Sequence, residues 1–258
     1  MTVTAPTGRL VAEGLVKRFG GLTAVDHVDL SIGDAGITAL IGPNGAGKTT
    51  LFNLIAGQLQ PDEGTVKIGG QDLTGKPAHV MSRHGVGRGF QEVRLWASMS
   101  VLDNVIVYAQ ARNTASVALT ALRPLAHWRA ARETRAAALE TLDYLGIADL
   151  RELPCRSLGF AEQKLVAVAR LVALRPRLLL LDEPASGLDH AGRGVLASTI
   201  QKLAADGLSI CFVEHNTHLV RDLASRVIFL AQGRILADGT PDEVFSDAGL
   251  AEAYLGLA

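Results

Sequence analysis

The chain has 258 residues, 48% of them hydrophobic and 20% charged, a composition that can bury a sizeable core and excludes general disorder. Its 25 lysines and arginines are offset by 26 aspartates and glutamates, for a net charge of −1, which argues against a general electrostatic nucleic-acid binder. The two cysteines, Cys155 and Cys211, cannot build a disulfide framework or a cysteine zinc site and fit a reducing, cytosolic setting.

Residues Leu10–Val16 read as a strand, and Ala24–Ile32 alternates through Val25, Val28, Leu30 and Ile32 as a second. A short apolar run, Ile37–Ile41, ends at a glycine-rich turn, after which Leu51, Leu54 and Ile55 carry helical spacing over Thr49–Ala56. Pro61, Gly64, Gly69 and Gly70 punctuate turns around a strand at Thr65–Ile68. From about Val101 to Ala173 the chain turns alanine-rich. Trp128–Leu145 reads as a helix with Ala138, Leu139, Leu142 and Leu145 on one side and Gly146 past its end. Strands return at Leu178–Leu181, Ser209–Val213 and Val227–Leu230, separated by helical stretches at Gly192–Ala205 and Leu219–Ala224. The expected layout is an α/β core, residues 1–90 and 174–258, interrupted by a helical subdomain over 91–173.

Residues Gly42-Pro43-Asn44-Gly45-Ala46-Gly47-Lys48-Thr49 satisfy G-x-x-x-x-G-K-[ST] between a predicted strand and a predicted helix. Glycines let backbone N–H groups wrap phosphates, and the helix behind points its positive end at them. Lys48 then neutralises charge at the γ-phosphoryl group, and the Thr49 hydroxyl ligates Mg²⁺. The four leucines of Leu178–Leu181 predict a buried central strand that delivers Asp182 to its C-terminal end, where open α/β sheets bind ligands. Asp182 is placed to hold Mg²⁺ directly or through water, and Glu183 to polarise an attacking water. Together these residues point to nucleoside-triphosphate hydrolysis.

Over nearly its whole length the chain resembles the nucleotide-binding domain of ATP-binding cassette (ABC) transporters. Gly42–Thr50 reads GPNGAGKTT, the family's form of the phosphate loop, with Thr50 as its last residue. Leu181-Asp182-Glu183-Pro184 matches Walker B, and Ser186-Gly187-Leu188-Asp189 looks like the D-loop. The resemblance implies a P-loop cassette with an N-terminal antiparallel β subdomain and an inserted α-helical subdomain. It further implies that Phe19 stacks on adenine, that Gln91 touches the metal and the attacking water, and that His215 contacts the γ-phosphate. His215 and His218 stand at i, i+3 without a third partner in sequence, so a metal site there is not expected.

One motif departs from the family's pattern. Where the signature Leu-Ser-Gly-Gly-Gln grips the ATP of an opposite cassette, this chain has Leu158-Gly159-Phe160-Ala161-Glu162-Gln163. Gly159 lacks the serine hydroxyl, and Ala161 adds a methyl where glycine permits close approach. That departure suggests work beside a non-identical cassette. The long stretch after Gln91, with Val93-Arg94-Leu95-Trp96 and Met99–Val105, and the closing Gly233–Pro241 and Ala253-Tyr254-Leu255-Gly256 resemble the ATP-binding subunits of bacterial branched-chain amino-acid importers. The implied partners are a second cassette, two transmembrane permeases and, indirectly, a solute-binding protein, at the cytoplasmic face of the inner membrane. Cassettes for urea, amides or another solute are the alternative, and a non-transport cassette ATPase or a P-loop kinase is a more distant one.

Mean hydropathy is +0.23, high for a chain in which no stretch reads as a membrane span or a signal peptide. Buried strands account for part of the excess. The rest is expected on docking faces against the permeases and the second cassette.

Overall fold

The structure is a computed structural model that describes residues 9–33, 36–89, 93–110 and 124–247. It divides into two compact units, one of Met1–Gln91, Arg177–Ser186 and Ala197–Ala258, the other of Glu92–Pro176 and Gly187–Leu196.

The first unit holds two sheets. The smaller is antiparallel, in the order β2-β1-β4-β5, with β1 at Leu10–Phe19, β2 at Leu22–Ile32, β4 at Glu63–Ile68 and β5 at Gln71–Asp72. The larger sheet runs β10-β9-β3-β8-β7-β6. Here β3 is Gly36–Ile41, β6 Val86–Gly89, β7 Leu178–Asp182, β8 Ser209–Val213, β9 Arg226–Ala231 and β10 Arg234–Gly239. Only β10 runs antiparallel to its neighbour; the other pairings are parallel. Every residue of β7 and β8 is buried, which is why both read as unbroken apolar runs rather than alternating ones.

Helix α1, Lys48–Ile55, follows β3 after the phosphate loop. Its Leu51, Phe52, Leu54 and Ile55 share one core with Leu10, Leu15 and Val66 of the small sheet and with Leu40, Leu178, Cys211 and Ile228 of the large one. A short α2, Ala78–Arg83, precedes β6. Cys211 lies in this core as a small apolar residue; burial pushes its thiol up to about 12. Both cysteines, Cys155 and Cys211, are free and buried.

The second unit is helical. It contains α3 (Val101–Gln110), α4 (Pro124–Tyr144) and α5 (Phe160–Ala173). Val101, Leu102, Val105, Ala138, Leu142, Leu165, Val166 and Ala169 form its core. Gly146 follows α4 with φ 71°, the left-handed conformation expected past a helix end. The chain then passes through α6 (His190–Ala205), which spans the boundary of the two units, and closes with α7 (Thr217–Leu223) and α8 (Pro241–Ser246) in the first. Strands at the expected places are slightly longer than read: β1 continues from Val16 to Phe19 and β2 starts at Leu22. Among the described residues no helix is long and apolar enough to cross a membrane.

Candidate nucleotide site

Three parallel strands bring the site residues to one level. Leu40 of β3 and Asp182 of β7 both pair with Val213 of β8. The chain therefore leaves the sheet at the same end three times, into Gly42–Lys48, into Glu183 and into Glu214–His215. This is the carboxyl edge of a parallel sheet, the usual place for a ligand in such folds.

The loop after β3 is shaped by two close approaches. A Cβ on Gly42 would lie 1.9 Å from the Leu230 carbonyl oxygen, and one on Gly47 would lie 2.2 Å from that of Ala24. Both glycines also have φ between 100° and 150°, so no other residue fits. The loop is braced from behind, since Gly233 N–H donates to Ala46 O at 2.9 Å and Asp26 N–H to Gly233 O at 2.9 Å. Its open side carries Asn44, Gly45 and Thr49, all exposed.

Lys48 is buried, and its ammonium donates to the carbonyls of Gly42 and Pro43, each at 2.8 Å. Burial lowers its pKa, and Glu183 and Asp182 oppose that shift. The ammonium is thus stored against its own loop, with two carboxylates near enough to help keep it charged.

Asp182 is buried beside Arg88 of β6, whose guanidinium Nη2 lies 3.6 Å from Asp182 Oδ2. Desolvation raises the Asp182 pKa; Arg88 and Lys48 hold it down, and Glu183 adds to the rise. The same guanidinium donates to Asn53 Oδ1 and Gln58 Oε1, which fixes it from α1 and the turn behind it. Arg88 was not singled out in the sequence; its place in a strand one position before Gly89 gives no sign that it reaches Asp182.

Glu183 takes φ 46°, a left-handed conformation uncommon outside glycine, and its N–H donates to Val213 O at 3.0 Å. Its Oε1 lies 3.1 Å from His215 Nε2. The two side chains are only partly exposed, 24% for Glu183 and 41% for His215, so both reach solvent and each other. Such a pair can hold and polarise a water. Phe19 ends β1 with its ring half-exposed, and Lys17 Nζ stands 5.6 Å from the ring centroid. Gln91 lies outside the described residues, as do Ala253–Gly256. Among the described residues no group of three or more His, Cys, Asp or Glu side chains could hold a metal ion by itself, His215 and His218 included.

The signature-like residues belong to the second unit. Gly159 is the N-cap of α5, and its N–H donates to Glu162 Oε2 at 2.8 Å, half of a capping box whose other half needs a hydroxyl. Phe160 is exposed with Lys164 Nζ 5.3 Å from its ring centroid. In the same unit Asp189 Oδ1 accepts from Gly192 N–H at 2.8 Å, capping the start of α6. A Cβ on Gly192 would come within 3.2 Å of Ala161 Cβ, so the signature-like turn and the Asp189 turn are neighbours.

Residues 25–186 match the ABC transporter family. The chain belongs to that family. The ABC relatives include the high-affinity branched-chain amino acid transport ATP-binding protein BraF of Pseudomonas aeruginosa, 36% identical over 251 residues, 96% of this chain and 98% of BraF. The lipopolysaccharide export system ATP-binding protein LptB of Escherichia coli is 32% identical over 247 residues, 96% of this chain and 97% of LptB. Among solved structures, the ADP conformation of MJ1267, an ATP-binding cassette of an ABC transporter, superposes with TM-score 0.83 at 28% identity, over 96% of this chain and 98% of that one. The P-loop cassette fold with its antiparallel and helical parts is therefore the fold of this ABC ATPase, and ATP is the nucleotide of its family.

Proposed function

We propose that this ABC ATPase powers an importer for branched-chain amino acids or a similar small polar solute, working as one of two cassettes on two permease subunits. The observation that carries the hydrolysis reading is the convergence of the phosphate loop, Asp182 and the Glu183–His215 pair at one edge of the sheet. Lys48 and the N–H groups of Gly45–Thr49 would hold the β- and γ-phosphates, Phe19 the adenine. Hard oxygen donors, the exposed Thr49 hydroxyl and the Asp182 carboxylate, suit Mg²⁺, with Gln91 as a further ligand. When bound, that ion would screen the charge between the β- and γ-phosphates. Glu183 would accept the proton of the attacking water, while His215 fixes Glu183 and faces the γ-phosphate. We read the two units as the nucleotide-binding core and the helical subdomain of one cassette, peripheral to the cytoplasmic face of the inner membrane.

The likeness to BraF supports the solute class; the likeness to LptB makes export the rival. Nothing in the nucleotide site selects a solute, so the test lies with the partners. The chain is to be co-expressed with candidate permeases and a second cassette from its own source, copurified, and reconstituted in vesicles with a solute-binding protein. Leucine, isoleucine or valine should raise ATP turnover several-fold, and Glu183→Gln should cut it at least tenfold while leaving a measurable residual rate. Stimulation by urea or amides alone would move the reading to the alternative solutes, and partners that extract lipid would overturn import.

A further inference from the structure

Glu214 sits between the last residue of β8 and His215, and its side chain is buried, 6% exposed. A buried carboxylate needs hydrogen-bond donors, and here they come from two separate turns. Oε1 accepts from the backbone N–H of Ala185 at 3.1 Å. Oε2 accepts from His215 N–H at 3.1 Å and Asn216 N–H at 3.4 Å. Ala185 lies two residues after Glu183, in the turn that leaves β7. His215 and Asn216 form the turn that leaves β8, where Asn216 also caps α7.

We propose that Glu214 is a positioning residue for the Glu183–His215 pair. It rests on the hydrolysis reading above and acts through the backbone. One carboxylate clips the Glu183 turn to the His215 turn through charge-assisted hydrogen bonds, the stronger kind. The direct bond from Glu183 N–H to Val213 O fixes the start of the first turn; Glu214 fixes its continuation. Without the clip, the continuation of the Glu183 turn loses its carboxylate link to the turn that leaves β8, and the 3.1 Å contact between Glu183 Oε1 and His215 Nε2 loses part of its frame. Displacements of about 1 Å in a reacting array cost on the order of a hundredfold in rate. The charge is required as well as the shape. A glutamine accepts on one side only, and its amide N–H₂ would face backbone donors on the other.

The test is Glu214→Gln in the full chain, assayed in the complex with its permeases and partner cassette. Binding of a fluorescent ATP analogue should stay within threefold of wild type and KM should be unchanged, while kcat falls at least tenfold. In a Glu183→Gln background the same substitution should cause no further loss, because it acts only through that pair. A kcat within twofold of wild type, a loss of rate matched by a loss of affinity, or a full additional loss in the Glu183→Gln background would each overturn the proposal. Should Glu214→Gln fail to fold, Glu214→Asp, which keeps the charge and shortens the reach, should show the same split between kcat and KM in milder form; its absence overturns the proposal equally. A wild-type complex that hydrolyses no ATP would instead refute the hydrolysis reading itself.

Discussion

Arg88 and Asp182 are both nearly excluded from water, with 9% and 10% of their side chains exposed, and they meet at 3.6 Å. Burial pulls the arginine pKa down and pushes the aspartate up, and each partly restores the other's charge. Such a pair adds little net stability over an apolar one, but removing one partner leaves a buried charge alone. Arg88→Met should therefore cost about 3 kcal/mol, a fall in Tm of roughly 6–12 °C by thermal unfolding. Adding Asp182→Asn should return at least half of that loss. An equal loss in the double variant would mean that the bonds from Arg88 to Asn53 and Gln58 carry the effect instead. The pair also bears on chemistry, since the proposed Mg²⁺ ligand is held in place before any ion arrives.

At the scale of elements, α5 is fastened at both ends. Its start is the Gly159–Glu162 turn; near its end Arg170 is buried with its guanidinium carbon 4.6 Å from the Trp96 ring centroid and 4.0 Å from that of Tyr108. Arg170 also donates to the Arg94 carbonyl, so it ties the segment that follows Gln91 to the signature-like helix. Arg170→Met keeps the length of the side chain but removes both ring contacts and the hydrogen bond, and should cost about 2–3 kcal/mol. In a Trp128→Phe background, where Trp96 is the sole tryptophan, its emission should shift to the red as the ring loses its cover. Lysine should not rescue the shift, because its single ammonium lacks the planar fork that reaches both edge-to-face rings and the Arg94 carbonyl at once. The central strands of the first unit are legible in sequence because β7 and β8 are continuous apolar runs between turns. Helix α3 was harder: Val101, Val105, Ile106 and Val107 favour a strand locally, and only the packed faces of Val101, Leu102, Val105 and Ala109 make it a helix. A start signal was present in Ser100, whose Oγ accepts from Asp103 N–H. The β9–β10 hairpin escaped for a different reason. Its turn needs positive φ at Gln232 as well as Gly233, and glutamine does not advertise that conformation. At the site, the phosphate loop, Asp182, Glu183 and His215 carried recognisable spacing, whereas Arg88 and Glu214 work through contacts that only the sheet register creates.

For the whole molecule the open question is what the altered signature does to a pair of cassettes. If each signature completes the site on the opposite phosphate loop, as the resemblance implies, Gly159 and Ala161 would bear on the partner's ATP rather than on ATP at Lys48. The fold tolerates the family residues: a Cβ on Gly159 would meet only Glu162 Oε2, at 3.6 Å, and its φ of −64° suits serine. The glycine is therefore not imposed by packing, and a serine there would also complete the capping box at the start of α5. One missing neutral hydrogen bond is worth about 1 kcal/mol, roughly a fivefold effect on an equilibrium, before the Ala161 methyl is counted. A complex with a non-identical cassette should then have a strong site at Lys48 and Glu183 and a weaker one across from Gly159. Glu183→Gln here should cut turnover at least tenfold, and replacement of the matching carboxylate in the partner should cut it less than threefold. Gly159→Ser with Ala161→Gly should narrow that gap by raising the partner's contribution, measured as turnover with each carboxylate replaced in turn. Equal losses from the two single replacements in the unaltered complex would mean that the sites are equivalent and that the signature changes at Gly159 and Ala161 are neutral.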